Sequence, residues 1–198
     1  MAKAGIVYAG TDDGLLVFSD PGGGGRWRQV AQHLAGKRII AIEAADALSI
    51  RVNAAGEPAL QSSDGGQTWH EPDDEGPAPL ELRAASVEGP QVLPEQRIRG
   101  ATAFALLRGK RPALLAAAAG GTMLFRSEDG GIHWEPAGIE RPSIGAVQSL
   151  VPARYHFDIA WAGTTAGELL RSDDRGRSWI IVSEGLPPIR SLAVVRLA

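Results

Sequence analysis

In this 198-residue chain the carboxylates best placed for chemistry are Asp12 and Asp13, adjacent in a polar loop between two apolar runs. Glycoside hydrolysis needs two carboxyl groups across a cleft, one ionised and one kept protonated by a raised pKa. Neighbouring loop acids more often serve the turn itself, because an aspartate side chain accepts backbone N–H bonds there. The second group is basic. Arg38, Arg99 and Arg190 head three apolar segments, and Arg141 lies two residues before Ser143, which heads a fourth. Guanidinium forks match carboxylates and phosphates, so these four arginines are the candidate ligand-binding residues, for an anionic small ligand or a protein partner. The plainer reading is that each caps a strand end or pairs with a nearby acid such as Glu140 or Glu184.

Other chemistry finds little footing. His33, His70, His133 and His156 have no metal-ligand spacing, and Asp173-Asp174 is a turn rather than a calcium loop, so no metal is expected. The run Gly22–Gly25 lacks the Lys-Ser/Thr of a phosphate-binding loop, and no cofactor is expected. With no cysteine there is no thiolate nucleophile and no disulfide. A net charge of −3 gives no general attraction to nucleic acid or to an anionic membrane. The N-terminus reaches Thr11-Asp12-Asp13 before any useful apolar core of a signal peptide, and no apolar run nears a spanning helix. The expected location is cytoplasmic.

The elements that must carry these residues are visible as a repeat. Ser62-Ser63-Asp64-Gly65-Gly66-Gln67-Thr68-Trp69, Ser127-Glu128-Asp129-Gly130-Gly131-Ile132-His133-Trp134 and Ser172-Asp173-Asp174-Arg175-Gly176-Arg177-Ser178-Trp179 all read Ser-x-Asp-x-Gly-x-x-Trp. A fourth, degenerate copy runs from Phe18-Ser19-Asp20 to Trp27, with one extra residue and Pro21 in the aspartate's place. The chemistry of the pattern is that of a tight hairpin. The carboxylate takes N–H bonds of its own turn, the glycine takes a positive φ, and the indole offers an apolar face to bury. Short β-prone runs precede the boxes: Leu15–Phe18, Thr122–Phe125 and Glu168–Leu170. Only residues 33–36 and 82–87 could hold a turn of helix, so the chain reads as all-β.

The motif resembles the Asp-box, or bacterial neuraminidase repeat, of sialidases, sortilin-type receptors, xyloglucanases and the photosystem II assembly factor propellers. Val7-Tyr8-Ala9-Gly10-Thr11 and Trp161-Ala162-Gly163-Thr164 look like the strand before the box in the last two groups. The resemblance implies a β-propeller whose boxes are structural and lie away from the active face, on the turn into each blade's outermost strand. Ser62, Asp64, Gly66, Trp69, Ser127, Asp129, Gly131, Trp134, Ser172, Asp174, Gly176 and Trp179 are thus expected to be structural. Sialidases use an arginine cluster, a Tyr/Glu nucleophile pair and an acid aspartate. This chain has only Tyr8 and Tyr155 and lacks the Arg-Ile-Pro signature.

Spacing supports closure. Inner strands are expected at Arg38–Ala41, Arg99–Thr102, Ser143–Ala146 and Arg190–Ala193. From the first three starts to the box tryptophan the distances are 31 (69−38), 35 (134−99) and 36 (179−143). Counting from Arg190 through Ala198 and on from Met1 to Trp27 also gives 35, so the C-terminal strand serves as the missing inner strand of the first blade. A single domain over 1–198 with about four blades follows. Five blades, or a half-propeller whose two copies make an eight-bladed ring, are the alternatives. Connections from tryptophan to the next inner strand take 11 (38−27), 9 (143−134) and 11 (190−179) residues, but 30 (99−69) after the second box. The surplus, 71–96, reads as an inserted loop. The expected function is a non-enzymatic ligand-binding, protein-binding or assembly module, monomeric or homodimeric. The alternative is an Asp-box glycoside hydrolase or lyase.

Overall fold

The computed structural model describes residues 4–72, 98, 100–141 and 143–197. No helix occurs among them. The 71–96 insertion beyond Pro72, the possible helical turn at 82–87 and Arg99 lie outside the described residues. At 33–36 the chain forms a turn instead of a helix, with Leu34 at φ 52° and Gly36 at φ 80°. The chain divides into two compact units, Met1–Leu82 with Ile189–Ala198, and Arg83–Pro188.

In the first unit β1 (Gly5–Thr11), β2 (Gly14–Asp20) and β3 (Arg28–His33) form a meander, and β16 (Ile189–Arg196) completes it in the order β16-β1-β2-β3. β16 pairs antiparallel with β1 from Gly5 opposite Arg196 to Thr11 opposite Ile189. The three-stranded sheet β4 (Ile39–Ala44), β5 (Ile50–Ala54), β6 (Leu60–Ser62) follows. Tyr8, Leu15, Val17, Ile39, Ile50, Val52 and Val195 form the shared core. β1 and β2 are buried almost throughout, as central strands covered on both faces must be, whereas β3 is largely exposed.

The second unit repeats the design. β7 (Ala103–Leu107), β8 (Ala113–Ala118), β9 (Met123–Ser127) and β10 (Glu135–Pro136) make one sheet. The other is β12 (Val147–Pro152), β13 (Ala160–Thr164), β14 (Leu169–Ser172) and β15 (Ser178–Ser183), with the two-residue β11 (Gly138–Ile139) pairing parallel to β15. The second-position strands, Ala-Leu-Leu-Ala-Ala-Ala in β8 and Ala-Trp-Ala-Gly-Thr in β13, are wholly buried. Small side chains suit a strand pressed between two packed faces. Among the described residues, four small, mainly antiparallel sheets with boxes at the same hairpin make the fold all-β and of propeller type.

Three inner strands share a bulge. Ile39, Val147 and Ile189 are each fully buried opposite the end of the second strand, and the next residue is an unpaired extra one. Those extra residues are Ile40, Gln148 and Arg190. The register shared by Arg38 and Arg190 in the sequence reading is therefore corrected by two positions: Ile40 stands where Arg190 does. Ser143–Ala146 and Arg99–Thr102 both precede their strands, which begin at Val147 and Ala103.

Candidate functional site

The three boxes build closely similar local networks. In the first, Ser62 Oγ donates to Asp64 Oδ1 at 2.8 Å and accepts from Gly66 N at 2.8 Å. Asp64 Oδ1 takes the N–H groups of Gln67 and Thr68, each at 2.9 Å, and Oδ2 takes the Thr68 hydroxyl at 2.6 Å. Asp129 repeats this with Ile132 and His133, and Asp174 with Ser178. These bonds, led by Thr68, hold the Asp64 carboxyl well below the ordinary aspartate range. The His133 and Ser127 bonds do the same for Asp129. At Asp174 burial opposes the shift, but bonds from Ser178 and Ser172 still lower it. Gly66 and Gly131 have φ of 94° and 95°, as the turn requires. Carboxylates saturated by their own turn have little capacity left for a ligand.

The degenerate fourth copy is also corrected. Its frame starts at Asp20, not Ser19: Asp20 ends β2 as Ser62, Ser127 and Ser172 end their strands, and like them it is buried. From Asp20 to Trp27 is the usual seven positions, with no insertion. Asp20 Oδ2 accepts the Gly25 N–H at 2.6 Å, five residues on, where the box serines accept the N–H four residues on.

The sequence-selected arginines fall into different places. Arg190 donates two parallel bonds to Asp12, Nε to Oδ1 at 2.8 Å and Nη2 to Oδ2 at 2.6 Å. Arg38 Nε reaches the same Oδ1 at 2.9 Å. Asp12 sits in the β1–β2 turn, and Arg190 and Arg38 flank the starts of β16 and β4, which puts all three at one end of the first unit's sheets. Arg141 belongs to the second unit and pairs with Glu184 at 2.5 Å.

The chemistry of this cluster is asymmetric. The Arg190 hydrogen bonds, then the charges of Arg190 and Arg38, outweigh desolvation and lower the Asp12 pKa. The same bonds raise that of Arg190. Two cations on one anion leave a net positive charge, carried outward by Arg38, whose side chain is 55% exposed against 24% for Arg190. Asp13 is not a second member. Its carboxylate accepts the Gly36 N–H at 2.7 Å and its own N–H donates to Thr11 Oγ1 at 3.1 Å, so it holds the turn. An ionised Asp12 is the reverse of a general acid, which must keep its proton.

No family model and no curated protein matches the chain. Solved structures similar to it are of propeller type. The GH74 enzyme of Niastella koreensis aligns over 94% of this chain and 25% of its own, at 15% identity and a TM-score of 0.38. YCF48 bound to D1 peptide aligns over 91% and 82%, at 14% identity and a TM-score of 0.30. The nidogen/laminin complex aligns over 92% and 62%, at 10% identity and a TM-score of 0.36. The chain thus spans a quarter of the GH74 chain's length. None of these likenesses assigns a role to a residue here.

Two features of the propeller-type chain escaped the sequence reading. Arg126 and Arg171, each just before a box serine, are buried. Arg126 is capped by Glu128, and Arg171 by Asp173 at 2.6 Å while lying over Trp161, 5.7 Å from the ring centroid. The shared string Arg-Ser-acid-Asp (126–129 and 171–174) is the signal that could have shown it. Buried Glu168 accepts from Thr164 Oγ1 and Gly145 N, both at 2.7 Å, and no pattern in the sequence marks it. Among the described residues no helix is long and apolar enough to cross a membrane.

Proposed function

We propose that this chain is a non-enzymatic binding module of the Asp-box class, its four sheets counted as blades, acting in the cytoplasm. Its anion-contact point is the Arg38–Asp12–Arg190 cluster. One observation carries the reading: a carboxylate is already held by two guanidinium groups, and the outer one is half open to solvent. Asp12 pre-orients Arg38 by holding Nε, which leaves the outer edge of the fork for a carboxylate of a small ligand or a protein partner. The arrangement supports binding over glycoside hydrolysis, because the best-placed carboxyl is stabilised in its ionised form. Arg141 and Arg99 remain secondary candidates for the same kind of ligand.

The test is a titration of the full chain with citrate, followed by calorimetry, for wild type and two variants. Arg38→Ala should remove binding by about tenfold or more while leaving the melting temperature within a degree or so, since a rim cation contributes little to stability. Arg190→Ala should weaken binding and lower stability together, because it also leaves Asp12 without its bidentate partner. Unchanged citrate affinity in Arg38→Ala would remove the cluster as the contact point.

A further inference from the structure

The second unit brings three loops together at one spot. Residues 108–112 join β7 to β8, residues 153–159 join β12 to β13, and Arg175 lies in the third box. Arg175 ties them together. Its backbone N–H donates to Asp158 O at 2.9 Å, Nη1 lies 3.4 Å from Asp158 Oδ1, and Nη2 donates to the carbonyl oxygen of Arg111. Gly109 belongs to the same contact: a β-carbon on it would lie 3.5 Å from Arg175 Nη1 and 3.7 Å from Phe157. The loop bearing Phe157 is itself closed by Ala153 N–H to Ile159 O at 2.9 Å and His156 N–H to Ala153 O at 3.0 Å.

On this braced platform Phe157 is 61% exposed. Aromatic side chains are enriched among the anchors of protein contacts, and a braced loop presents one with little left to order on binding. Lys110, Arg111 and Arg154 are exposed on the same two loops, and none has an acidic side chain within ion-pair distance among the described residues. An apolar centre with unpaired cations at its rim asks for a partner of opposite charge.

We infer that this loop cluster docks an acidic peptide segment of a partner protein, with one apolar side chain on Phe157 and flanking carboxylates on Lys110, Arg111 and Arg154. Such a surface is small and its charges lie at the rim, so the complex is weak and salt-sensitive. It does not involve Asp12, Arg38 or Arg190.

The experiment uses the full chain in an Arg38→Ala background, so that the cluster proposed above cannot contribute. The probe is a fluorescein-labelled dodecapeptide alternating glutamate and leucine, read by anisotropy. A copy with glutamine for glutamate and a single-stranded oligothymidylate serve as comparisons. Binding of the acidic peptide, weakened about tenfold or more by Lys110→Glu with Arg111→Glu and several-fold by Phe157→Ser, supports the assignment. Melting curves matching the parent show that these exposed changes leave the fold intact. Should Phe157→Ser fail to fold, the charge-reversed variant decides alone. Equal binding of the glutamine peptide, no effect of charge reversal, or tighter binding of the oligothymidylate would each overturn the inference.

Discussion

A single carboxylate organises each box, and its pKa records how much of the turn it holds. Asp64 accepts from Ser62, Gln67 and Thr68, and its carboxyl is lowered well below the ordinary aspartate value. A group whose folded pKa is depressed contributes stability that is fully present above its unfolded pKa and lost as pH falls through the folded one. The contribution of the Asp64 turn should therefore be flat from neutrality to about pH 4 and fall steadily below it. Asp64→Asn should lower the melting temperature at pH 7 by several degrees and make its decline below pH 4 shallower than in the parent. Scanning calorimetry from pH 7 to pH 2 checks this, and parallel curves for the two proteins would contradict it. At this scale the box was legible because its bonds run between residues at most four apart. The Arg190–Asp12 pair was not, because it joins positions 178 apart in sequence and no local pattern announces such a bond.

Strands explain what the boxes alone do not. The three box tryptophans have equivalent sequence positions, yet Trp179 is 1% exposed while Trp69 and Trp134 are half-buried. The difference lies in the fourth strand. Trp179 is inside the six-residue β15, which β11 flanks, whereas Trp134 precedes the two-residue β10 and Trp69 meets, among the described residues, a single bridge between Gln61 and His70. Where the outer strand is short the indole turns back, and its N–H donates to Gly66 O at 2.9 Å or Gly131 O at 3.0 Å. Trp179→Ala should thus cost about 3–5 kcal/mol, and Trp134→Ala less than half of that, because a half-buried ring surrenders less apolar area. Urea midpoints for the two variants measure the ratio, and equal losses would show that outer-strand length does not set burial. Strand existence was readable from the β-prone runs. Strand starts were not, because the bulges after Ile39, Val147 and Ile189 shift the register by a residue without any mark such as glycine or proline.

At the scale of the whole molecule both chain ends enter one sheet. Gly5 lies opposite Arg196, 191 positions away (196−5), so the ladder between β1 and β16 forms only after nearly the entire chain has been gathered. Closing so long a loop costs about 2–3 kcal/mol more than closing one of roughly ten residues, since the penalty grows as (3/2)RT ln n. The antiparallel pairing also places Gly5 opposite Arg196, so a short glycine-serine linker can join β16 to β1. Joining these strands and opening the chain between Ala35 and Gly36, both exposed, would make β16-β1-β2-β3 a consecutive meander like β4-β5-β6 and β7-β8-β9-β10. The β1–β16 ladder then becomes local, and folding rate rises as contact order falls. The permutant should refold about tenfold faster or more, with an unfolding rate close to that of the parent apart from the lost Gly36–Asp13 bond. Stopped-flow refolding from urea gives the comparison. A monomeric permutant with native circular dichroism but no faster refolding would mean that the β1–β16 ladder forms after the rate-limiting step. A permutant that no longer folds would mean that the 34–37 turn, rather than the joined ends, organises this sheet.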